Sequence, residues 1–244
     1  MRVAVCVPIW GREQLTRACM SHWRRVGVDL AYSGYDIRVC VVGSEGKSEI
    51  ATRDGHEYVE FSNDSFALKL DAGLGLAKTL EPDAVMFSGS DDFLSAGLVE
   101  GLLEELGSSG AGHVGVLDAL FLDLSTMRIV HWPGYTDHRK GESIGCGRTI
   151  KRGVLDDLGW KIWSDCTSAG GIDGWMKRKL EELSCHPRNR STAGWGGTLI
   201  CPKALGQTIN AFASFADCPD ASLDALLGLG DETRRGIMAC SPTS

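Results

Sequence analysis

Asp83-Ala84-Val85-Met86-Phe87-Ser88-Gly89-Ser90-Asp91-Asp92 sets a short apolar run directly against two adjacent carboxylates. Asp83 to Phe87 reads as a buried strand. Gly89-Ser90 ends it, and Ser95 is an N-cap residue type for a helix reaching about Leu106. Neighbouring carboxylates at a strand end repel unless positive charge sits beside them. A divalent cation resolves the repulsion. Mg²⁺ or Mn²⁺ prefers oxygen ligands and takes one or two carboxylates together with phosphate oxygens. The competing reading is a helix cap, since acidic residues ahead of a helix are favoured by its dipole.

Upstream, strands and helices alternate. Arg2 to Ile9 is a strand with β-branched Val3, Val5 and Val7, ended by Pro8. Glu13 to Val26 follows as a helix, Tyr35 to Val42 as a second strand and Glu57 to Phe61 as a short third. Phe66 to Leu80 is a helix with Leu68, Ala72, Leu76 and Leu80 on one stripe. This alternation predicts an α/β fold with a mostly parallel sheet flanked by helices. Ligands of such sheets bind at the carboxyl ends of the strands. Trp10, Gly43-Ser44 and Ser90-Asp91-Asp92 fall there, so three loops are expected to converge on one crevice.

The second half is mixed. Val114 to Leu124 is strand-like, and Met127 to Trp132 pairs with it through Ser125-Thr126. Ser143 to Ile150 carries two glycines around Cys146. Arg152 to Leu158 and Gly171 to Leu183 read as helices. Ala193 to Cys201 is glycine-rich with a short apolar end. Beyond Asp217 the chain turns to small residues and Pro, and the last few residues read as frayed.

The chain has 244 residues, 43% of them hydrophobic, which suits one large α/β domain or two small ones and excludes general disorder. No stretch is long and apolar enough to span a bilayer and no signal peptide is evident, so a cytoplasmic protein without a membrane partner is expected. The nine cysteines contain no Cys-x-x-Cys pair and read as reduced, mostly core thiols. Net charge is −7, yet Arg128 to Arg190 holds 12 Lys+Arg against 8 Asp+Glu. That local excess is read either as a face for an anion or as solvated helix surface.

Gly170-Gly171-Ile172-Asp173-Gly174-Trp175-Met176 is the second candidate for chemistry. A carboxylate at a helix start, beside glycines that allow close approach, can serve as a general base. The plainer reading of Asp173 is an N-cap.

Taken in order, these segments resemble glycosyltransferases of the GT-A type near family 2. Val5-Cys6-Val7-Pro8-Ile9-Trp10-Gly11-Arg12 resembles that family's first strand and nucleotide-binding loop. Asn63-Asp64-Ser65-Phe66-Ala67-Leu68-Lys69-Leu70-Asp71-Ala72-Gly73-Leu74 resembles its segment with an asparagine, a lysine and asparagine-x-glycine, with Asp71 at the last asparagine. Ser90-Asp91-Asp92 resembles its DxD-type motif, and Asp173 its catalytic base in inverting members. The likeness runs from about Arg2 to Leu183. It implies a Rossmann-like GT-A domain over 1–217, with a nucleotide-sugar half (1–110), an acceptor half (111–217) and a C-terminal extension (218–244). It implies Mg²⁺ or Mn²⁺ held by Asp92, with His186 or His131 as a further ligand. It implies a UDP- or GDP-sugar donor touched by Pro8, Trp10, Arg12, Ser44, Asn63, Lys69, Ser90, Asp91 and Arg148. Gly43, Ser44 and Glu45 depart from the acidic loop of many relatives, which leaves the base open. The compact chain, with His131-Trp132-Pro133-Gly134-Tyr135, Gly147-Arg148 and Trp160-Lys161-Ile162-Trp163, also resembles phage members that glycosylate hydroxymethylated pyrimidines in double-stranded DNA. A DNA acceptor is then expected to meet the basic stretch from Arg128 to Arg190, because the charge split confines phosphate contacts to a local patch; the nine candidate cations are Arg139, Lys140, Lys151, Arg152, Lys177, Arg178, Lys179, Arg188 and Arg190.

Pro8-Ile9-Trp10-Gly11-Arg12 is not a G-x-G-x-x-G turn, and no P-loop is present, which argues against a dehydrogenase or a P-loop enzyme. A nucleotidyltransferase shares the sheet and the metal logic and is the nearest enzyme rival. A glycan or small-molecule acceptor also fits the motifs, and so does a non-catalytic carbohydrate- or nucleic-acid-binding module.

Overall fold

The computed structural model describes residues 1–166, 171–204 and 211–241. Its centre is β1 (Arg2–Pro8). Val3, Val5 and Val7 of β1 enter one core and Ala4 and Cys6 the other, the two-residue alternation of a strand buried on both faces. The chain continues through α1 (Glu13–Ala31), β2 (Asp36–Gly43), α2 (Glu49–Thr52), β3 (Glu57–Glu60), α3 (Phe66–Thr79), β4 (Ala84–Phe87), β5 (Phe93–Leu94) and α4 (Ala96–Ser108). Then come β6 (His113–Val116), β7 (Ala119–Asp123), β8 (Ile129–Trp132), β9 (Thr149–Lys151), α5 (Arg152–Asp157), α6 (Ile172–Glu182), β10 (Pro187–Arg190), β11 (Leu199–Lys203) and α7 (Asp231–Met238).

Seven strands form the large sheet in the order β10-β6-β9-β4-β1-β2-β3. β4, β1, β2 and β3 are mutually parallel, whereas β9 runs antiparallel between β4 and β6. One face packs against α1 and α4, the other against α3, α5 and α6. A second sheet, β5-β11-β7-β8, joins the first core through Leu94, Leu122, Val130 and Ile200. The fold is therefore a mixed α/β architecture of two sheets.

Several expectations change. The strand-like run Val114 to Leu124 breaks at Leu117-Asp118, and its halves enter different sheets. Buried Asp118 fills the break, accepting from the Thr192 amide at 2.6 Å and bonding His131 Nε2 at 3.0 Å. α1 runs to Ala31 rather than Val26 because Leu30 continues its buried stripe. The segment after Asp217 is packed as far as it is described, and the last residues, 242–244, where fraying is expected, lie outside the described residues. Leu226, Leu229 and Ile237 are buried, and His22 Nδ1 meets Thr233 Oγ1 at 3.0 Å. Three buried aliphatic side chains contribute on the order of 5 kcal/mol, enough to hold a short helix down. Among the described residues no helix is long and apolar enough to cross a membrane.

Candidate active site

Three strand-end loops meet around one cation. Lys69 on α3 is 1% exposed, and its Nζ donates to the Ile9 carbonyl at 2.7 Å, Ser44 Oγ at 3.1 Å and Asn63 Oδ1 at 3.1 Å. An ammonium has three N–H groups, and here all three are used. Burial lowers its pKa, against the pull of Glu45 and Glu60. Lys69 ties together the ends of β1 and β2 and the loop ahead of α3. Trp10, next in the chain after Ile9, is 57% exposed, while Pro8 is buried within β1.

The next loop is built on a turn. Gly11 and Arg12 both have left-handed backbones, at φ 58° and 33°, so the chain reverses and α1 begins. That turn returns the Arg12 guanidinium to Ser90 Oγ, at 3.2 and 3.1 Å, and to Asp91 Oδ1 at 3.1 Å. Asp91 Oδ2 lies 3.4 Å from Lys203 Nζ. Burial and the adjacent Asp92 push the Asp91 carboxyl up, while Lys203 and Arg12 oppose them. On Lys203 burial acts downward and Asp91 upward, and the carboxylate prevails. Both Asp91 oxygens thus face protein cations. Asp91 is thereby a buried anchor for Arg12 and Lys203.

Lys203 was not foreseen in the sequence. Its position follows from register: β11 is antiparallel to β5 with Ile200 opposite Phe93. Continuing that register brings Cys201 beside Asp92 and carries Lys203 to the level of Ser90 and Asp91. Asp92 is half-buried; its Oδ2 accepts from the Gly89 amide at 2.9 Å, and burial together with the Asp92 charge pushes the Cys146 and Cys201 thiols up.

Among the described residues no group of three or more His, Cys, Asp or Glu side chains is arranged to hold a metal ion. His186 is not near Asp92. Pro187 pairs with His113, the first residue of β6, so His186 lies at the amino ends of the strands, and Asp92 lies past the carboxyl end of β4. His131 is bonded to Asp118 instead. A cation held by Asp92 therefore fits only with its shell completed by phosphate oxygens and water, as is usual for Mg²⁺.

Asp173 stands in the first turn of α6, whose N-cap is Gly171. Gly170 lies outside the described residues. The Asp173 Oδ2 accepts from Tyr135 Oη at 3.2 Å. Arg148, 1% exposed, donates to the Asp173 carbonyl at 3.1 Å, to Ser143 Oγ at 2.8 Å and to the Ser143 carbonyl. Buried Arg148 thus braces the backbone of Asp173 from behind.

The basic stretch is largely neutralised within the protein. Six of its nine candidate cations face carboxylates: Arg139 with Glu142, Arg152 with Asp156, Lys177 with Glu181, Lys179 with Glu182, and both Arg188 and Arg190 with Glu105. Trp160 and Trp163 are core residues. Trp132 and Tyr135 remain half-buried, edge to face at 5.0 Å.

No protein-family model matches the chain, and no curated protein does. Solved structures share its fold. S. aureus TarS 1-349 superposes with a TM-score of 0.55 at 10% identity, covering 83% of this chain. The same protein in complex with UDP-GlcNAc gives 0.54 at 13% identity over 84% of this chain. The chain spans 60% of the length of each of these TarS structures. A 4-diphosphocytidyl-2C-methyl-D-erythritol synthase gives 0.52 at 13% identity, covering 78% of this chain and 88% of that one. The chain is thus similar in fold to enzymes with Rossmann-like nucleotide-binding sheets.

Proposed function

We propose that the chain is a GT-A glycosyltransferase that uses a divalent cation to move a sugar from a UDP- or GDP-sugar to an acceptor hydroxyl. One observation carries the reading. Trp10, Arg12, Ser44, Ser90 and Asp92 lie together at the carboxyl ends of parallel strands, where such sheets bind nucleotides. In this reading Asp92 holds Mg²⁺ or Mn²⁺, which, when bound, offsets charge on the departing diphosphate. Trp10 offers its exposed face to the base. Asp173 takes the acceptor proton as that oxygen bonds to the anomeric carbon and the diphosphate leaves with the electron pair of the broken bond. A base on the acceptor side implies inversion.

The first acceptor to test is a 5-hydroxymethylpyrimidine in double-stranded DNA, for the resemblance to phage members. The internal pairing of six cations favours a second reading, a glycan or small hydroxylated acceptor, because DNA affinity rests on phosphate contacts by unpaired cations. The likeness to the cytidylyl enzyme favours nucleotidyl transfer as a rival reaction. The decisive experiment supplies Mn²⁺ with a panel of nucleotide sugars and, separately, nucleoside triphosphates with sugar phosphates. Release of nucleoside diphosphate, followed by a mass gain on hydroxymethylated DNA or a glycan, is expected. Release of inorganic pyrophosphate from a triphosphate, with nucleotide sugars untouched, overturns the proposal.

A further inference from the structure

We infer that Tyr135 is a positioning residue for the Asp173 carboxylate, an inference that rests on reading Asp173 as the base. Tyr135 follows β8 after Pro133-Gly134. Gly134 has φ 105°, and a Cβ there would lie 2.4 Å from the Leu117 carbonyl, so only glycine lets the chain turn here and bring the phenol to α6. The ring is fixed before it reaches Asp173. The Arg139 guanidinium lies 3.4 Å from its centroid, and Trp132 stands edge-on at 5.0 Å. Arg139 is in turn held by buried Glu142 at 2.6 Å.

The carboxylate is confined from the other side as well. A Cβ on Gly145 would lie 2.3 Å from Asp173 Oδ1, so the carboxylate rests against the bare backbone of that glycine. Arg148 holds the backbone of Asp173 itself. Asp173 therefore sits between the Tyr135 hydroxyl and Gly145 in one rotamer. An acyclic carboxylate otherwise loses rotamer freedom during the reaction, and fixing it beforehand lowers the entropic part of the barrier. Burial, Asp173 and Arg139 set the proton affinity of the phenol, with Asp173 raising it and Arg139 lowering it; the result is a group pushed up to about 12. Tyr135 thus remains a donor across the neutral range, and its part is orientation.

Two readouts on the full chain test this. Tyr135→Phe removes one oxygen and keeps the packed ring. Its kcat for transfer is expected to fall about tenfold, the rate equivalent of one pKa unit of lost interaction, with donor KM unchanged. The second readout needs no activity. With 3-fluorotyrosine incorporated, the ¹⁹F resonance of residue 135 is assigned by its loss in Tyr135→Phe and titrated. Asp173→Asn removes the charge that raises the phenol, so this titration is expected to move about one unit lower. An unmoved titration overturns the contact, and with it the inference. A moved titration with an unchanged kcat in Tyr135→Phe overturns the positioning role. If Asp173→Asn retains full transfer while the titration moves, the base reading is what fails, and the Tyr135–Asp173 bond stands.

Discussion

Lys203 Nζ lies 3.4 Å from Asp91 Oδ2, across 112 residues of chain and between two sheets. Both side chains are less than a tenth exposed, so the pair is screened little by solvent. It pins the end of β11 to the loop that carries Asp92. Lys203→Met leaves a buried carboxylate short of one of its two cations. Breaking such a pair costs about 3–5 kcal/mol, to be read from urea unfolding. Pairing that change with Asp91→Asn is expected to restore part of the loss. An unchanged unfolding midpoint for Lys203→Met alone contradicts the assignment.

Asp92→Asn keeps the shape of the turn and removes the charge. Turnover is expected to fall by about 10²-fold or more and to lose its response to Mn²⁺, as when one preorganised charge-stabilising group is removed. Excess chelator is expected to abolish activity of the unaltered chain. Full turnover in chelator refutes the role given to Asp92.

Asp173→Asn is expected to slow transfer by about 10²–10⁴-fold and to leave donor Kd unchanged, since a base acts on the acceptor. Gly145→Ala approaches the same site through shape, because its new methyl would press on Oδ1. A comparable rate loss with an intact fold is expected. Weakened donor binding in either variant would move Asp173 to the donor side.

Two buried histidines set the acid limit of stability. His22 and His113 are both lowered from 6.5 to about 4, chiefly by burial. The unfolded chain takes up these protons before the folded one does. Their contribution is therefore complete above pH 6.5 and is lost as pH falls from there through about 4. Each group accounts for roughly 3 kcal/mol of that loss. Urea unfolding at pH 7 and pH 4.5 measures it, and His113→Asn should flatten the slope. A slope unaltered in that variant removes His113 from the account.

The first half of the fold was legible because its signals are local. Val3, Val5 and Val7 alternate with Ala4 and Cys6, and Ser65 and Ser95 cap their helices through the Leu68 and Leu98 amides. The meeting of the Trp10, Ser44 and Ser90 loops at the strand ends followed from connectivity alone. What stayed hidden depends on pairing at a distance. Nothing local divides Val114 to Leu124 between two sheets, or inserts β9 antiparallel. Lys203 ends a plain apolar run, Leu199-Ile200-Cys201-Pro202, and a buried lysine ending a strand was its one available signal. Lys69 and Arg148 were noticed as cations, but sequence does not tell a ligand contact from a strut. In the folded protein all three Lys69 N–H groups meet protein acceptors, and three of the five of Arg148 do.

The position of β9 also governs how the chain can be made. β4 borders β9 on one side, and the Phe87 amide bonds the Arg148 carbonyl. On a ribosome, β1 to β4 emerge first, and β4 then presents an open edge until Thr149–Lys151 has been synthesised. At translation rates of about 5–20 residues per second, that interval lasts several seconds. An unpaired strand edge is a template for association with other chains. A nascent chain stalled before Thr149 should therefore aggregate or engage a chaperone, and one stalled after α5 should not. The first half of the chain thus borrows its closing strand from residues made later, and a gene cut near residue 110 would not release a stable module.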